Sequence, residues 1–171
     1  MQLRGMILLT LLLLPWPAWS ADLLLFIIQR SKNANEVHYS LRVDERCRPA
    51  SDTPVRAFWR LLEHNPEKTA TLSFFDKMAY GIEEQLVSDH EVSFSLKALE
   101  QKRVRAKASA APQPGTCAAT AQTEIQGQWA TLERIYVQTE ERWPKPKVIY
   151  VDVFGTSLDA SATPVHERIT P

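Results

Sequence analysis

Apolar and polar residues alternate along much of the chain with a period of two, which is the pattern of half-buried β-strands. In Glu36–Val43, four apolar residues share one face: Val37, Tyr39, Leu41 and Val43. The opposite face of this segment carries His38, Ser40 and Arg42. The preceding segment, Leu23–Arg30, is a short apolar run that predicts a buried strand, and the polar residues 31–35 predict a turn. The two segments together predict a hairpin.

The second half of the chain repeats this alternation. Glu91–Ala98 places four residues inward: Val92, Phe94, Leu96 and Ala98. The next predicted strand has three basic residues on one face, Arg103, Arg105 and Lys107, and apolar residues on the other, Val104, Ala106 and Ala108. Cys117–Ile125 and Gln128–Thr139 then flank Gln126-Gly127, a dipeptide suited to a tight hairpin turn.

Three other segments predict strands from their composition. Lys147–Gly155 is mostly apolar on both faces and should therefore be central in its sheet. Val165–Ile169 is expected to be an edge strand. Pro54–Glu63 is ambiguous, because its aromatic and β-branched residues favour a strand while its Leu61-Leu62-Glu63 end suits a helix; we favour the strand.

Leu72–Ile82 is the best candidate for a helix. Ser73 is a suitable N-cap, and Asp76 suits the unpaired N–H groups of the first turn. Its apolar pairs have helical spacing and should pack on the sheet: Phe74 with Met78, and Phe75 with Ala79. Gly81 fits the left-handed position that often ends a helix. These patterns predict a mainly β fold, an antiparallel sandwich or barrel of about eight or nine short strands with one short helix.

The first 21 residues have the layout of a secretory signal peptide. Arg4 gives a basic start, Met6–Leu14 is a short apolar run, and Ala18-Trp19-Ser20-Ala21 offers a cleavage site with small residues. The run is shorter than the roughly 20 apolar residues that span a bilayer. We therefore expect export, with a single β-rich domain over residues 22–171; the alternative is a retained membrane anchor.

Charge and cysteine content limit the possible partners and the compartment. The chain has 20 basic and 20 acidic residues; only Arg4 lies in the leader, so the remainder has a net charge of −1. Such a balance gives no global field that would draw the protein to nucleic acid or to an anionic membrane. The two cysteines, Cys47 and Cys117, predict a disulfide in an exported chain, and two free thiols or a catalytic thiol are the alternatives.

Several short segments resemble the uncharacterised bacterial exported family known as domain of unknown function 4833. They are Phe26–Asn33, Phe58-Trp59 after Pro54-Val55, Met78–Ile82, Val151–Gly155 and Glu167-Arg168-Ile169. The resemblance covers nearly all of the chain after the leader. It implies an exported single-domain protein and brings no known activity, so no catalytic residue follows from it.

Motifs for catalysis and cofactors are missing from the sequence. The glycines after the leader are too far apart for a phosphate-binding loop, and no serine lies in a nucleophile elbow. Asp89-His90-Glu91 contains metal-binding residue types, but three adjacent residues in a turn are more often simply solvated. We expect no cofactor, no metal and no catalytic residue, although a Ser, His and Asp triad could still assemble from distant positions.

Five residues are the candidates for a binding role. Arg103, Arg105 and Lys107 form a basic stripe that suits anions, and the alternative is an edge strand whose charges block pairing between sheets. Trp59 could stack on a sugar together with Trp129 and Trp143, although such residues more often belong to the core. Tyr80, beside Gly81, could close a pocket mouth or simply cap the core.

These observations favour a non-enzymatic binding or accessory module of the bacterial envelope. We expect its partner to be an envelope protein or a small ligand, and its location to be the periplasm, with secretion as the second choice. A barrel that binds a small apolar molecule is one alternative, and an envelope hydrolase is another. A large apolar cavity would favour the first alternative, and a hydrogen-bonded Ser, His and carboxylate in a cleft would favour the second.

Overall fold

The structure is a computed structural model that describes residues 20–63, 65–97, 99–143 and 146–171. The predicted leader before Ser20 and the inward position predicted for Ala98 lie outside these residues. The described chain contains one helix, α1 (Phe74–Tyr80), and eleven strands. The strands are β1 (Ala21–Arg30), β2 (Asn33–Val43), β3 (Val55–Arg60), β4 (Thr69–Thr71), β5 (Ile82–Val87), β6 (Glu91–Leu96), β7 (Leu99–Ala110), β8 (Cys117–Ile125), β9 (Gln128–Glu140), β10 (Lys147–Ser157) and β11 (Pro164–Ile169).

The mainly β prediction is confirmed, and all strands belong to one sheet that curls into a half-barrel. Neighbouring strands follow the order β4-β3-β2-β1-β9-β8-β7-β6-β5, and β10 pairs with β9 and β11. Every pairing is antiparallel except β1 with β9, which is parallel. The sheet is therefore mixed rather than purely antiparallel. The count exceeds the predicted eight or nine strands, partly because β4 has only three residues and is too short to show alternation.

The long strand β9 divides the sheet into two layers. Its residues 130–140 pair with β10 along one edge. The other edge is shared, because residues 128–131 pair with β8 and residues 134–137 pair with β1. We call β3-β2-β1-β9-β10-β11 the six-stranded layer and β5-β6-β7-β8 the four-stranded layer.

The core lies between the inner faces of these two layers. The rings of Phe26 on β1 and Phe94 on β6 stack with centroids 6.5 Å apart, and Phe26 also stacks on Tyr39 at 4.5 Å. The largest fully buried side chains come from both layers: Tyr39, Phe26, Phe94, Leu41, Ile125 and Leu132. The inward sets predicted on β2, β6 and β7 are all buried within the described residues. The period-two pattern thus identified the core faces correctly.

Two features join the layers at their margins. A disulfide links Cys47, in the loop after β2, to Cys117 at the start of β8, with the two Cα atoms 5.6 Å apart. The side-chain amide of Gln85 on β5 pairs with the backbone of β3 as a neighbouring strand would. It accepts a hydrogen bond from the Val55 N–H at 2.9 Å and donates one to the Val55 carbonyl at 3.1 Å.

Helix α1 forms where the sequence predicts it, but its apolar face is not packed on the sheet. Ser73 and Asp76 form a reciprocal capping box at its start. The inward side of this segment is made by Leu72, Asp76 and Tyr80, which share one face at a spacing of four residues. Phe74, Phe75, Met78 and Ala79 are exposed instead. The prediction was wrong because a polar group, Asp76, occupies the inward position that an apolar residue was expected to fill.

The left-handed conformation predicted for Gly81 was also wrong. Its φ is −65°, so the residue is not left-handed. A Cβ atom at this position would lie 2.2 Å from the Lys77 carbonyl oxygen. Glycine is therefore needed for close approach to the helix. By contrast, Gln126 and Gly127 both have positive φ, and they form the tight turn predicted between β8 and β9.

Two predictions of strand position have different outcomes. The strand from Lys147 has a partner on each side, because β10 lies between β9 and β11, and β11 is an edge strand as predicted. The alternative explanation of the basic stripe is wrong, because β7 pairs with both β6 and β8. Its charges therefore do not protect an exposed edge.

Candidate functional site

The outer face of the six-stranded layer carries two rows of side chains in cross-strand register. The first, which we call the aromatic row, crosses all six strands as Phe58, His38, Ile27, Arg134, Phe154 and His166. The second, the ionic row, runs beside it as Arg60, Glu36, Gln29, Tyr136, Asp152 and Arg168. At about 4.8 Å per strand, each row is roughly 24 Å long.

The aromatic row holds its arginine and histidine side chains against rings. The guanidinium carbon of Arg134 lies 3.8 Å from the centroid of the Phe154 ring. The imidazole of His166 stacks on the same ring, with centroids 4.6 Å apart. At the other end, His38 packs on Phe58 with centroids 5.9 Å apart. These contacts restrict the rotamers of long or polar side chains, so the row is preorganised.

Asp152 is the centre of the ionic row at its β10–β11 end. This carboxylate is buried, and it accepts two hydrogen bonds from Arg168, from Nε at 2.8 Å and from Nη2 at 2.7 Å. His166 Nε2 lies 2.9 Å from Asp152 Oδ1. Arg168 also stacks on Tyr150, 3.8 Å from the centroid of its ring. The hydrogen bonds from Arg168 and His166 lower the pKa of Asp152 to about 2, against the opposing effect of burial.

A second chain of polar contacts begins on β2. His38 Nε2 lies 3.0 Å from one carboxylate oxygen of Glu36, and Gln29 donates to the other at 2.8 Å. The amide oxygen of Gln29 in turn accepts a longer hydrogen bond of 3.4 Å from Arg134 Nη1. The carboxylates of Glu36 and Asp152 are therefore both engaged by cationic or amide neighbours.

Arg134, a member of the aromatic row, lies between these two carboxylate clusters and differs from Arg168, the arginine that pairs with Asp152. It forms no ion pair with a carboxylate of the described residues. Its guanidinium has five N–H donors, and the long bond to Gln29 uses one of them. The side chain is half-buried on the central strand β9. This geometry leaves a fixed guanidinium with free donors in the middle of the face.

The residues of the predicted basic stripe lie on the four-stranded layer and do not converge on one point. Arg103 pairs with Glu84 at 3.1 Å, and Lys107 pairs with Glu91 at 3.2 Å. Arg105 stacks on Trp129, 4.1 Å from the centroid of the indole ring. All three side chains are exposed.

The structure brings the other two candidates, Trp59 and Tyr80, together on the inward side of α1, of which Tyr80 is the last residue. Trp59 is only 7% exposed, and its indole N–H donates to Asp76 at 3.2 Å. The rings of Trp59 and Tyr80 meet edge to face at 5.6 Å, and Arg30 covers Trp59 at 4.4 Å. The carbonyl of Tyr80 accepts a 2.7 Å hydrogen bond from the Tyr39 hydroxyl. Burial of this hydroxyl raises the pKa of Tyr39.

The structure contains a small cavity between the layers and an open groove on the outside. A cavity between the layers, lined by Leu96, Val104, Thr123 and Leu132 among others, has a volume of only about 10 Å³. An open groove of about 490 Å³ lies outside, between β3 and α1, with Arg42, Arg56 and Lys77 in its lining. In the part of the chain that the structure describes, no three His, Cys, Asp or Glu side chains are grouped to hold a metal ion.

The two rows were not predicted, although the sequence contains a signal for them. His38 shares a face with Ser40 and Arg42, and Tyr150 shares a face with Asp152 and Phe154, on strands whose other face is apolar. The alternation shows that these residues point outward. It cannot show that β1 pairs with β9 in parallel, and this pairing brings the two sets onto one face.

Comparisons with known proteins agree with the resemblance seen in the sequence. The model of the family described as a domain of unknown function, DUF4833, matches residues 26–168. No curated protein and no solved structure matches the chain. The helix found among the described residues is too short to cross a membrane. The matched region contains both rows, from Ile27 to Arg168, and both cysteines, and the chain belongs to the DUF4833 family.

Proposed function

We propose that this protein is an exported, non-enzymatic binding module of the bacterial envelope, and that it binds an anionic group at Arg134. The observation that carries this proposal is the half-buried guanidinium of Arg134, stacked at 3.8 Å on Phe154 and without a carboxylate partner among the described residues. A planar, preorganised guanidinium with free donors matches the oxygens of a carboxylate or phosphate.

The neighbours of Arg134 support an anionic rather than a cationic ligand. The two carboxylates of the ionic row already have hydrogen-bond partners, Asp152 in Arg168 and Glu36 in His38 and Gln29. With neutral histidines, the two rows contain three arginines and two carboxylates, a net charge of +1. The free donors of Arg134 therefore lie in a face that is slightly positive.

Export rests on the sequence and on one compatible feature of the fold. A disulfide between Cys47 and Cys117 suits an oxidising compartment. We place the processed protein, residues 22–171, in the periplasm as one domain, with secretion as the second choice.

The geometry favours this function over the two alternatives. A cavity of about 10 Å³ between the layers holds no more than a water molecule, so a small apolar ligand has no room there. For a hydrolase, the nearest serine along β2 from the His38–Glu36 pair is Ser40. Its Oγ is buried and has no hydrogen-bond partner in the described structure, so no Ser–His–carboxylate set is formed at that pair.

Titration with tripolyphosphate, followed by isothermal calorimetry, tests the anion site. The Arg134→Gln variant should bind the probe at least tenfold more weakly than the wild type, because the fixed donors are lost. Arg105→Gln is the matched control, because Arg105 also stacks on an aromatic ring without an ion pair in the described residues. It should change the affinity less than twofold.

Two results would reject the anion site at Arg134. One is an equal loss of affinity in both variants, which would indicate nonspecific attraction to surface cations. The other is a loss only in Arg105→Gln, which would assign anion binding to the basic stripe of β7. Native mass spectrometry of the protein purified from an envelope extract would then identify a natural ligand by its added mass.

A further inference from the structure

Helix α1 presents a compact set of exposed apolar side chains, which we call the α1 tip. Phe74, Phe75 and Met78 are 75%, 79% and 60% exposed, respectively. The rings of Phe74 and Phe75 touch edge to face with centroids 5.7 Å apart, and Met78 follows Phe74 by one helical turn. Three large apolar side chains within about one helical turn form an exposed apolar patch, and the largest such patch on a monomer is often functional.

The helix that carries the α1 tip is firmly fixed to the core. Asp76 closes the capping box with Ser73 and also accepts a hydrogen bond from the Trp59 indole. Burial would raise the pKa of Asp76, but the hydrogen bonds from Ser73 and Trp59 lower it below its usual value, so the carboxylate stays ionised and turned inward. At the other end, the Tyr80 carbonyl accepts from Tyr39. Because the opposite side of the helix is fixed to the core, the side chains of the α1 tip stay exposed.

Two lysines flank the α1 tip. Lys77 lies within the helix, and the backbone N–H of Lys97 donates to the Gly81 carbonyl at 3.0 Å, which places Lys97 at the end of the helix. Both lysines are exposed, and neither has an ion-pair partner among the residues that the structure describes. The one acidic residue of α1, Asp76, is engaged by Ser73 and by the Trp59 indole.

We propose that the α1 tip inserts into the interfacial region of a membrane that contains anionic lipids, with Lys77 and Lys97 contacting the headgroups. Aromatic and other apolar side chains bordered by cations are the arrangement that binds a bilayer surface without spanning it. The tip is too small for a stable protein interface. Its three side chains offer on the order of 400 Å², whereas such an interface buries about 800 Å² on each partner.

Cosedimentation with vesicles tests this proposal on the exported protein purified from an envelope extract. The probes are vesicles of phosphatidylcholine alone and vesicles that also contain phosphatidylglycerol. The wild type should bind the anionic vesicles more tightly than the neutral ones. The Phe74→Ser, Phe75→Ser, Met78→Ser triple variant should lose at least tenfold in partitioning onto both, and its fold should survive because all three side chains are exposed.

Two further variants separate apolar insertion from charge and from general surface effects. Lys77→Gln with Lys97→Gln should lower binding to anionic vesicles by about fivefold for each lysine, with little change on neutral vesicles. Leu158→Ser is the matched control, because Leu158 is an apolar side chain that is 48% exposed in the loop after β10. It should bind as the wild type does. All variants share one N-terminus, so any leader contributes equally.

The proposal fails if the wild type does not sediment with either vesicle, or if the triple variant binds as well as the wild type. It also fails if the triple substitution only abolishes a concentration-dependent dimer, since the tip would then contact a second copy of the chain. Loss of tripolyphosphate binding in Arg134→Gln is independent of these results, so the two sites are tested separately.

Discussion

Both layers of the half-barrel carry basic side chains on their outer faces, but the partners of these side chains differ in burial. On the four-stranded layer, Arg103 pairs with Glu84, whose side chain is 62% exposed. On the six-stranded layer, Arg168 pairs with Asp152, whose side chain is 6% exposed. Exposed ion pairs contribute little, because water screens both charges. The burial of the acidic partners therefore indicates a functional site better than a stripe of basic residues does.

The two layers also differ in how their neighbours are arranged along the chain. The acidic partners of the stripe come from β5 and β6, so Arg103 and Glu84 are only 19 residues apart. The two rows combine residues from β1 to β11, and Arg134 contacts Gln29 across 105 residues of chain. Long-range pairing of strands thus assembles the two rows, although an ion pair within them, Arg168 with Asp152, joins residues only 16 apart in the chain.

The largest expected effect on stability comes from removing the disulfide that joins the two layers. Replacing Cys47 and Cys117 by alanine should lower the free energy of unfolding by about 4 kcal/mol, because the disulfide closes a loop of 70 residues. Urea unfolding of the oxidised protein and of the double variant measures this difference. An unchanged midpoint would mean that packing between the layers alone holds them together.

A smaller effect should distinguish the ion pairs of the two layers. Asp152→Asn removes the charge that Arg168 and His166 contact, and it should lower the free energy of unfolding by about 2 kcal/mol. Glu91→Gln removes the partner of Lys107 on the four-stranded layer and should change stability by less than about 0.5 kcal/mol. Thermal or urea unfolding of both variants checks the comparison. Equal losses would contradict the difference that we draw between buried and exposed partners.

The smallest expected effect is a change in the pH dependence of stability. The pKa of Asp152 is about 2 in the folded protein and about 4 for an unfolded aspartate. The unfolded state therefore binds the proton more readily. The contribution of Asp152 should be fully present above pH 4 and should be lost as the pH falls through about 2. Unfolding midpoints measured over this range should fall less steeply in Asp152→Asn than in the wild type or in Glu91→Gln.

Alternation predicted the local structure of the strands well. The inward faces of β2, β6 and β7, the turn at Gln126-Gly127 and the cap at Ser73 all agree with the structure, since each depends on neighbours within a few residues. The helix shows the limit of this approach. Its exposed residues Phe74, Phe75, Met78 and Ala79 have the spacing of a core face, and long-range contacts such as that between Asp76 and Trp59 turn that face outward.

Only part of the candidate site could be predicted, because the rest also depends on contacts between residues far apart in the chain. The sequence marks His38, Asp152 and Phe154 as outward-facing members of strands, but it gives no sign that their strands are joined through β1 and β9. The basic stripe was easier to see because its three cations lie on one strand. Whether a group of residues can be recognised in the sequence therefore depends on how far apart they lie in the chain, and not on the strength of their contacts.

The sequence by itself determined the β-rich class of this protein, the faces of its strands and its membership of the DUF4833 family, because these depend on residue type and short-range periodicity. The tertiary structure decided which faces meet. The split of β9 between β8 and β1, the burial of Asp152 and the exposure of the α1 tip all depend on contacts between residues far apart in the chain. A period of two records on which side of a strand a residue lies, and it holds no information about the strand that pairs beside it.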